Sequence, residues 1–230
     1  MKEEEFRKIV KELRIAIAAV DVVVFSIINN TIHVFLTPIH RPPHYMNMFG
    51  LPGGVILENE SADDAAVRHL AEKANTKGVS VDQLYTFSYP DRDKRSRSIS
   101  IAYLALLPSD KYKNIQNDNG VWVSVDKLPT LAYDHSHIIK VAIERLRGKI
   151  VYSNVVKDLL PAQFTLPELQ RVYEILLERP LDKRNFRKKF LTTKLIKKVS
   201  DVKKTSHRPA QLYTFSSKKL EIIPEVWAAL

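Results

Sequence analysis

The sequence predicts a protein of the α+β class that is divided into two parts near residue 150. Runs of β-branched residues and helical stripes mix along residues 1–150 without repeats or low-complexity tracts, which is typical of an α+β domain. The charge divides at the same place: residues 1–150 hold 20 basic and 18 acidic residues, whereas residues 151–230 hold 16 and 8. The second part therefore carries most of the net charge of +10. We expect one domain over residues 1–150 and another over residues 151–230.

The composition excludes several classes of protein. The chain has 230 residues, of which 45% are hydrophobic, so it can bury a core. The absence of cysteine excludes disulfides, thiolate metal sites and cysteine nucleophiles, and favours a cytoplasmic protein. The acidic start lacks the apolar core of a signal peptide. The longest apolar run, residues 15–28, is interrupted by Asp21 and reads as a strand, so we expect no association with a membrane.

The strands of the first part are separated by recognisable turns. Asn29 and Asn30 form a plausible hairpin turn. Three prolines and two histidines predict a long loop over residues 38–50. The predicted strands are residues 16–27, 31–36, 51–56, 83–89, 98–107 and 121–125.

Three helices are predicted in the first part. A short amphipathic helix covers residues 1–13. Ser61 and Asp64 form a capping box that begins a helix over residues 61–75. A closing helix ends near Gly148. The apolar stripes of the second and third helices are Val67, Leu70, Ala71 and Ala74, and Ile138, Ile139, Ala142 and Leu146.

The second part has the element order of a winged helix-turn-helix. A short helix over residues 154–160 stops at a proline. Thr165 and Glu168 form the capping box of a second helix, and Asp182 caps a third. A pair of strands is expected around residues 208–215. The predicted buried faces of the second and third helices are Leu166, Leu169, Val172, Tyr173 and Leu176, and Phe186, Phe190 and Leu191.

A glycine followed by charged residues at fixed spacing marks a candidate pocket. Glu60 follows Gly54 after five residues, and Arg68 follows after seven more. This resembles the Nudix box, G-x5-E-x7-R-E-U-x-E-E-x-G-U with U apolar. Glutamates at positions i, i+3 and i+4 share one helix face, where they can bind a Mg²⁺ ion that bridges a diphosphate.

Here the corresponding face is His69, Glu72 and Lys73, so two of the three expected carboxylates are missing. An ammonium group repels Mg²⁺ and can itself neutralise a phosphate. We therefore expect a binding pocket without a hydrolytic metal cluster, without catalytic residues and without a cofactor. The alternative is that the helix is purely structural and the spacing arises by chance.

The second part contains a candidate nucleic-acid surface. Residues 183–208 hold 11 basic residues and one acid. Arginine and asparagine on such a helix can contact base edges in the major groove, while lysines on the hairpin suit phosphates. Lys197 and Lys198 are expected on the approach to the hairpin. The alternative is a solvated basic face without a partner. The predicted DNA-binding residues are Lys183, Arg184, Asn185, Arg187, Lys188, Lys203, Lys204 and Arg208.

Together the two parts resemble the Nudix-related transcriptional regulators, in which a Nudix-like α/β/α sandwich precedes a winged helix-turn-helix. The stretches that carry the resemblance beyond the Nudix box are residues 19–25, 91–93, 100–106, 134–135, 164–170, 181–188 and 208–210. The resemblance implies a homodimer, formed through the Nudix-like domain, that binds a double-stranded DNA operator as a repressor or an activator. In the branch tied to NAD metabolism the effector is ADP-ribose, and in the branch of sugar utilisation it is arabinose.

The resemblance also implies an effector pocket. For several of its residues a structural role remains open: Arg41 can be simply solvated, Arg92 and Arg97 can balance Asp91 and Asp93, and Asp134 can be a helix cap. The pocket implied by the resemblance consists of Arg41, Gly53, Gly54, Glu60, Glu72, Lys73, Arg92, Asp134 and His135.

Two other functions compete with the regulator. One is a Mg²⁺-dependent pyrophosphatase of nucleoside diphosphate derivatives such as ADP-ribose, with a basic module for localisation or for RNA binding. The other is a non-catalytic RNA-binding adaptor. The face of His69, Glu72 and Lys73 discriminates against the first, and a preference for RNA over duplex DNA would support the second.

Overall fold

The first part of the chain is built around one mixed sheet. The computed structural model describes residues 16–76, 78–112, 120–203 and 209–222, so the predicted helix over residues 1–13 lies outside it. The main sheet has the order β3-β2-β1-β6-β5, with β4 beside β1 and β7 beside β2. Among the strands that the structure describes in this sheet, only β1 and β6 pair in parallel. The strands are β1 (Ile17–Ile28), β2 (Thr31–Arg41), β3 (Tyr45–Gly50), β4 (Gly53–Val55), β5 (Val81–Phe87), β6 (Ser98–Leu106) and β7 (Val121–Ser124).

The hairpin between β1 and β2 turns at the predicted residues. Asn29 and Asn30 have φ of 49° and 63°, the left-handed pair that a two-residue hairpin turn requires. The predicted loop over residues 38–50 is wrong, because β2 continues to Arg41 and pairs with β3. Pro38 is tolerated because only β3 lies beside it. Along β2, the pairing with β1 ends at Val34 and the pairing with β7 ends at Leu36.

Helices cover the two faces of the sheet. They are α1 (Ala62–Ala74) and α2 (His135–Tyr152). The capping box of Ser61 and Asp64 is confirmed. The predicted apolar stripe of α1 is wrong at Val67, which is 48% exposed. The predicted end of α2 at Gly148 is also wrong: this glycine faces open space, and the helix continues to Tyr152.

The second part has the predicted winged-helix order. Its first element is a 3-10 turn (Val155–Leu159) rather than an α-helix. It continues with β8 (Phe164–Thr165), α3 (Leu166–Leu177), α4 (Lys183–Thr192), β9 (Ile196–Lys203) and β10 (Ala210–Phe215), and the three strands form a sheet of order β8-β10-β9. The capping box of Thr165 and Glu168 is confirmed, as is the Asp182 cap of α4.

The apolar faces of α3 and α4 follow the sequence pattern with one exception. The predicted positions of α3 are buried, and so are Phe186 and Phe190 of α4. These two rings lie 4.5 Å apart and pack on Tyr173 at 5.7 and 5.5 Å. Leu191 is 40% exposed, so its assignment to the core is wrong. Because successive residues are rotated around the helix axis, the residue that follows Phe190 lies outside the buried stripe.

One hydrophobic core joins the two parts. It runs from the inner face of the sheet through α2 to α3, α4 and β10. Arg171 of α3 also donates to the Asn30 side chain at 3.3 Å, and Arg147 of α2 forms an ion pair with Glu178. In the part of the chain that the structure describes, no helix is long and apolar enough to cross a membrane.

Candidate functional site

A buried charged network lies where β1, β4, β6 and the start of α2 meet. Arg92, in the loop between β5 and β6, donates to both oxygens of Asp134 at 3.2 and 2.8 Å and to Asp21 at 3.1 Å. Ser100 donates to the same Asp21 oxygen at 2.6 Å, and the second Asp21 oxygen lies 3.2 Å from His135 Nε2. Every charge in the network thus has a partner, as burial requires.

The hydrogen bonds of His135 define its tautomer. The backbone N–H of Leu51 donates to Nδ1 at 2.9 Å, so Nε2 carries the proton that is donated to Asp21. Burial alone raises the pKa of Asp21, but the contacts with His135, Arg92 and Ser100 outweigh it and hold this pKa well below its ordinary value. Asp21 is therefore a carboxylate throughout the physiological range.

This network clarifies the roles left open by the sequence. Asp134 occupies the N-cap position of α2, but its side chain binds Arg92 instead of capping the helix. The alternative that Arg92 balances Asp93 is wrong, because Asp93 is bound by two nitrogens of Arg95 at 3.0 and 2.8 Å. Arg97 donates to backbone carbonyls rather than to an acid.

Glu60 and Arg68 hold the loop before α1 against the helix. Arg68 donates to both oxygens of Glu60 at 2.8 and 2.5 Å, and Leu57 N–H donates to Glu60 at 2.8 Å. These hydrogen bonds lower the pKa of Glu60 to about 2. Arg68 also contacts Glu72 at 3.4 Å, one turn along the helix. The spacing of Glu60 and Arg68 in the sequence therefore fixes the loop by an ion pair. Glu72, the only one of the three expected carboxylates that is present on α1, is about half exposed.

Lys73 and His69 approach the glycine pair of β4. Lys73 Nζ donates to the carbonyl oxygen of Gly53, and burial lowers the pKa of Lys73. His69 Nε2 lies 3.3 Å from Val55 O, and burial also lowers the pKa of His69. A Cβ on Gly54 would lie 2.5 Å from His69 Cε1, and one on Gly53 would lie 2.2 Å from Val20 O. Both glycines are therefore required by close approach.

The residues present on α1 do not fit a divalent metal. Among residues 16–76, 78–112, 120–203 and 209–222, no three His, Asp or Glu side chains are placed to hold an ion. Glu60 is occupied by Arg68, and the ammonium of Lys73 occupies the position of an expected carboxylate. A second positive charge beside this ammonium would be repelled.

An aromatic cluster that the sequence did not reveal borders the network. The rings of Tyr45 and Tyr133 lie 4.3 Å apart, and Tyr133 lies 4.9 Å from His135. The Arg95 guanidinium lies 5.8 and 5.3 Å from the two tyrosine rings, within cation–π range. Tyr133 has a φ of 56°, which places it in the left-handed region.

The predicted effector residues fall into two groups. Eight of them form one continuous region, because Gly53 pairs with Asp21 of the buried network and also binds Lys73. Arg41 stands apart at the exposed end of β2, where its guanidinium donates to His40 O, although its charge contributes to the lowered pKa of Lys73. Asp21 and Ser100 were missed, yet a lone acid inside an apolar strand is itself a signal of a buried pair.

The predicted DNA-binding residues that the structure describes lie on α4 and at the end of β9. Lys183, Arg184, Asn185, Arg187 and Lys188 are all exposed on α4, opposite the buried Phe186 and Phe190. Lys203 ends β9, and the exposed Lys197 and Lys198 precede it. Lys204 and Arg208 lie outside the described residues.

The turn before α4 is rigidly held. Gln170 of α3 donates to Leu181 O at 2.9 Å, and Leu181 N–H donates to Glu174 at 3.1 Å. Gln170 also bonds Glu174 at 2.9 Å. These contacts fix the angle at which α4 is presented, which is a requirement for reading base edges in a groove.

The two parts match known families separately. Residues 18–144 match the NUDIX domain, and residues 156–215 match the NrtR DNA-binding winged helix domain. The ADPR responsive transcriptional repressor NtrR of Acinetobacter baylyi is 30% identical over 203 residues, which are 86% of this chain and 81% of that relative.

Two solved structures are similar to this chain, one over both parts and one over the first part. Shewanella oneidensis NrtR complexed with a 27mer DNA is 33% identical, with a TM-score of 0.78 over 86% of this chain and 93% of that chain. The NUDIX domain of the same protein complexed with ADP ribose is 30% identical, with a TM-score of 0.50 over 64% of this chain and 99% of that chain.

Proposed function

Since the chain belongs to the NUDIX family and carries an NrtR-type winged helix domain, we propose that it is a DNA-binding transcriptional repressor that responds to ADP-ribose. The observation that carries the proposal is the exposed basic face of α4, held on a fixed turn. Relatives that are an ADPR responsive repressor and a DNA-bound NrtR support it. ADP-ribose weakens the operator complex.

The effector site is the region around Gly53 and Lys73. Lys73 is a partly buried cation beside the glycine pair, and its ammonium can bind a diphosphate oxygen where a hydrolase would use a metal ion. Arg41, at the exposed rim, supplies a second positive charge. Arg92, Asp134 and His135 support the region from below through Asp21.

DNA binding with and without effector tests this function. Fluorescence anisotropy with the intergenic DNA upstream of the chain's own gene should show specific binding that weakens steeply as salt rises, because neutralised phosphates release counterions. ADP-ribose should raise the Kd at least tenfold, while arabinose should leave it unchanged. A random duplex of equal length is the control. Equal affinity for both duplexes, or indifference to ADP-ribose, would refute the proposal.

From the same residues we propose that the chain is not a pyrophosphatase. The Lys73 ammonium and the occupied Glu60 leave too few carboxylates for the Mg²⁺ that the alternative requires. ADP-ribose should therefore bind equally well with Mg²⁺ and with EDTA, and its hydrolysis should not depend on Mg²⁺. Lys73→Met removes the charge at similar length and should weaken ADP-ribose binding at least tenfold. Robust Mg²⁺-dependent turnover would contradict this assignment.

The proposed repressor is a homodimer that joins through its NUDIX domains. The α4 helices of the two subunits would then each bind one half-site of a palindromic operator. Light scattering after gel filtration should give about twice the mass of one chain, and a half-site duplex should bind much more weakly than the full palindrome. A monomer that binds both duplexes equally would contradict dimeric recognition.

A further inference from the structure

A cavity of about 690 Å³ lies between the two domains, remote from the Asp21 network. The network holds the first residue of α2, whereas the cavity is lined by Lys149 near the other end of this helix. Fourteen residues of helix separate the two places by about 21 Å. The NUDIX-type domain forms one wall with residues 75, 76, 78–82, 104, 106–108 and 111, and the chain after β10 forms the other with residues 218–220.

The floor of this interdomain cleft is apolar and firmly packed. Leu104 and Leu106 belong to β6, Leu107 follows it, and Val155 begins the 3-10 turn. All four side chains are buried in the core. Their packing keeps the floor fixed, and the small part of each side chain that faces the cleft is apolar.

The rim of the cleft is cationic. Five lysines and two aspartates line it. Lys149 pairs with Asp82, and Lys157 pairs with Asp158 at 2.7 Å, so both acids are already neutralised. The remaining lysines are exposed and have no acidic partner among the described residues. They are Lys111, Lys218 and Lys219.

We propose that the interdomain cleft is a second ligand site, which binds a nucleotide-like anion with its phosphates on the lysine rim and its base over the leucine floor. Lysine is a phosphate binder that acts as a flexible point charge. The volume is that of a pocket for a ligand of several hundred daltons. Nothing in this site depends on the effector region around Lys73, so the proposal goes beyond the response to ADP-ribose.

The position of the cleft couples this ligand to DNA binding. The wall formed by the chain after β10 is attached to the end of α2 by Asn154. This side chain donates to Lys219 O at 3.1 Å and accepts from Glu221 N–H at 2.8 Å. A ligand that contacts both walls stabilises this arrangement of the two domains over others. If DNA favours a different arrangement of the two domains, the ligand changes the affinity for DNA by the same factor by which DNA changes the affinity for the ligand.

Calorimetric titration of the full chain with ATP as the probe tests the site. ATP should bind, adenosine should bind at least tenfold more weakly, and Lys111→Glu/Lys218→Glu should weaken ATP binding at least tenfold. Both side chains are exposed, so the variant should keep the melting temperature of the native chain. Lys111→Arg/Lys218→Arg keeps the charges and should retain binding.

Two matched controls locate the binding. Lys140→Glu reverses an exposed charge elsewhere on α2, and Arg41→Glu reverses one at the effector region; both should leave the ATP affinity within twofold of native. Absence of ATP binding to the native chain would overturn the proposal, as would equal affinity in Lys111→Glu/Lys218→Glu. A loss in Arg41→Glu instead would assign the nucleotide to the NUDIX-type pocket and equally overturn it.

Discussion

The substitution Asp21→Asn should destabilise the protein strongly. It removes the negative charge that Arg92 faces at 3.1 Å inside the core, where Asp21 is only 7% exposed. Leaving one partner of a buried ion pair uncompensated costs about 3–5 kcal/mol. Arg92 keeps both of its contacts with Asp134, so we expect a loss near the lower end, about 3 kcal/mol.

Urea unfolding of the full chain, followed by circular dichroism, measures this loss. With a slope of about 2–3 kcal/mol/M, the midpoint should fall by about 1–1.5 M. The matched control is Asp82→Asn, because this aspartate is also ion-paired, with Lys149, but its side chain is 54% exposed. Exposed pairs contribute about 0–1 kcal/mol. Equal losses in the two variants would refute the role of the buried network.

The pH dependence gives an independent check of the same reasoning. The pKa of Asp21 is lower in the folded state than in the unfolded state, so its stabilisation is present above the unfolded pKa of about 3.9 and is lost as the pH falls. Between pH 7 and pH 3 the stability difference between the native chain and Asp21→Asn should shrink by about 1.3 kcal/mol. A difference that is constant or grows on acidification would contradict the lowered pKa.

Three further changes test other parts of the structure. Gly54→Ala places a methyl group 2.5 Å from His69 Cε1 and should cost about 1–3 kcal/mol in thermal unfolding, whereas an unchanged melting temperature would contradict the close approach. Thr165→Ala removes a capping box and should cost about 1 kcal/mol by the same measurement; no loss would show that the cap is dispensable. Arg187→Ala should weaken binding to the operator by about 1–3 kcal/mol and should weaken binding to random DNA less. Lys203→Ala should weaken binding to the two duplexes equally. If the two variants have the same effect on both duplexes, this division of roles is refuted.

The parts of the fold that the sequence predicted are those encoded by local patterns. The capping boxes at Ser61 and Thr165 need only residues three apart, and the Asn29–Asn30 turn needs two neighbours. The helix boundaries and the loop over residues 38–50 were less predictable. Whether Pro38 interrupts a strand depends on which strands lie beside it, and this is a property of the sheet rather than of the residues nearby.

The buried network shows why the candidate site was only partly predicted. The NUDIX-box positions share one helix and its preceding loop, so their spacing revealed them. Asp21 meets Arg92 across 71 positions and Ser100 across 79, and no local pattern records such a contact. Tyr45 and Tyr133 come together for the same reason, through the pairing of distant segments. The resemblance to a family suggested Arg92, Asp134 and His135, but not Asp21 and Ser100, which complete the network.

Helix α2 gives the two ends of the molecule a common structural element. Its first residue, His135, is hydrogen-bonded within the Asp21 network, and Asn154, just past its last residue, is tied to the chain that follows β10. Between these ends its apolar face lies in the core that continues into α3 and α4. A displacement of α2 therefore cannot be confined to one domain, because close-packed side chains transmit it. The response of DNA binding to effectors must consequently be measured on the whole chain, since separated domains would lack the element that joins them.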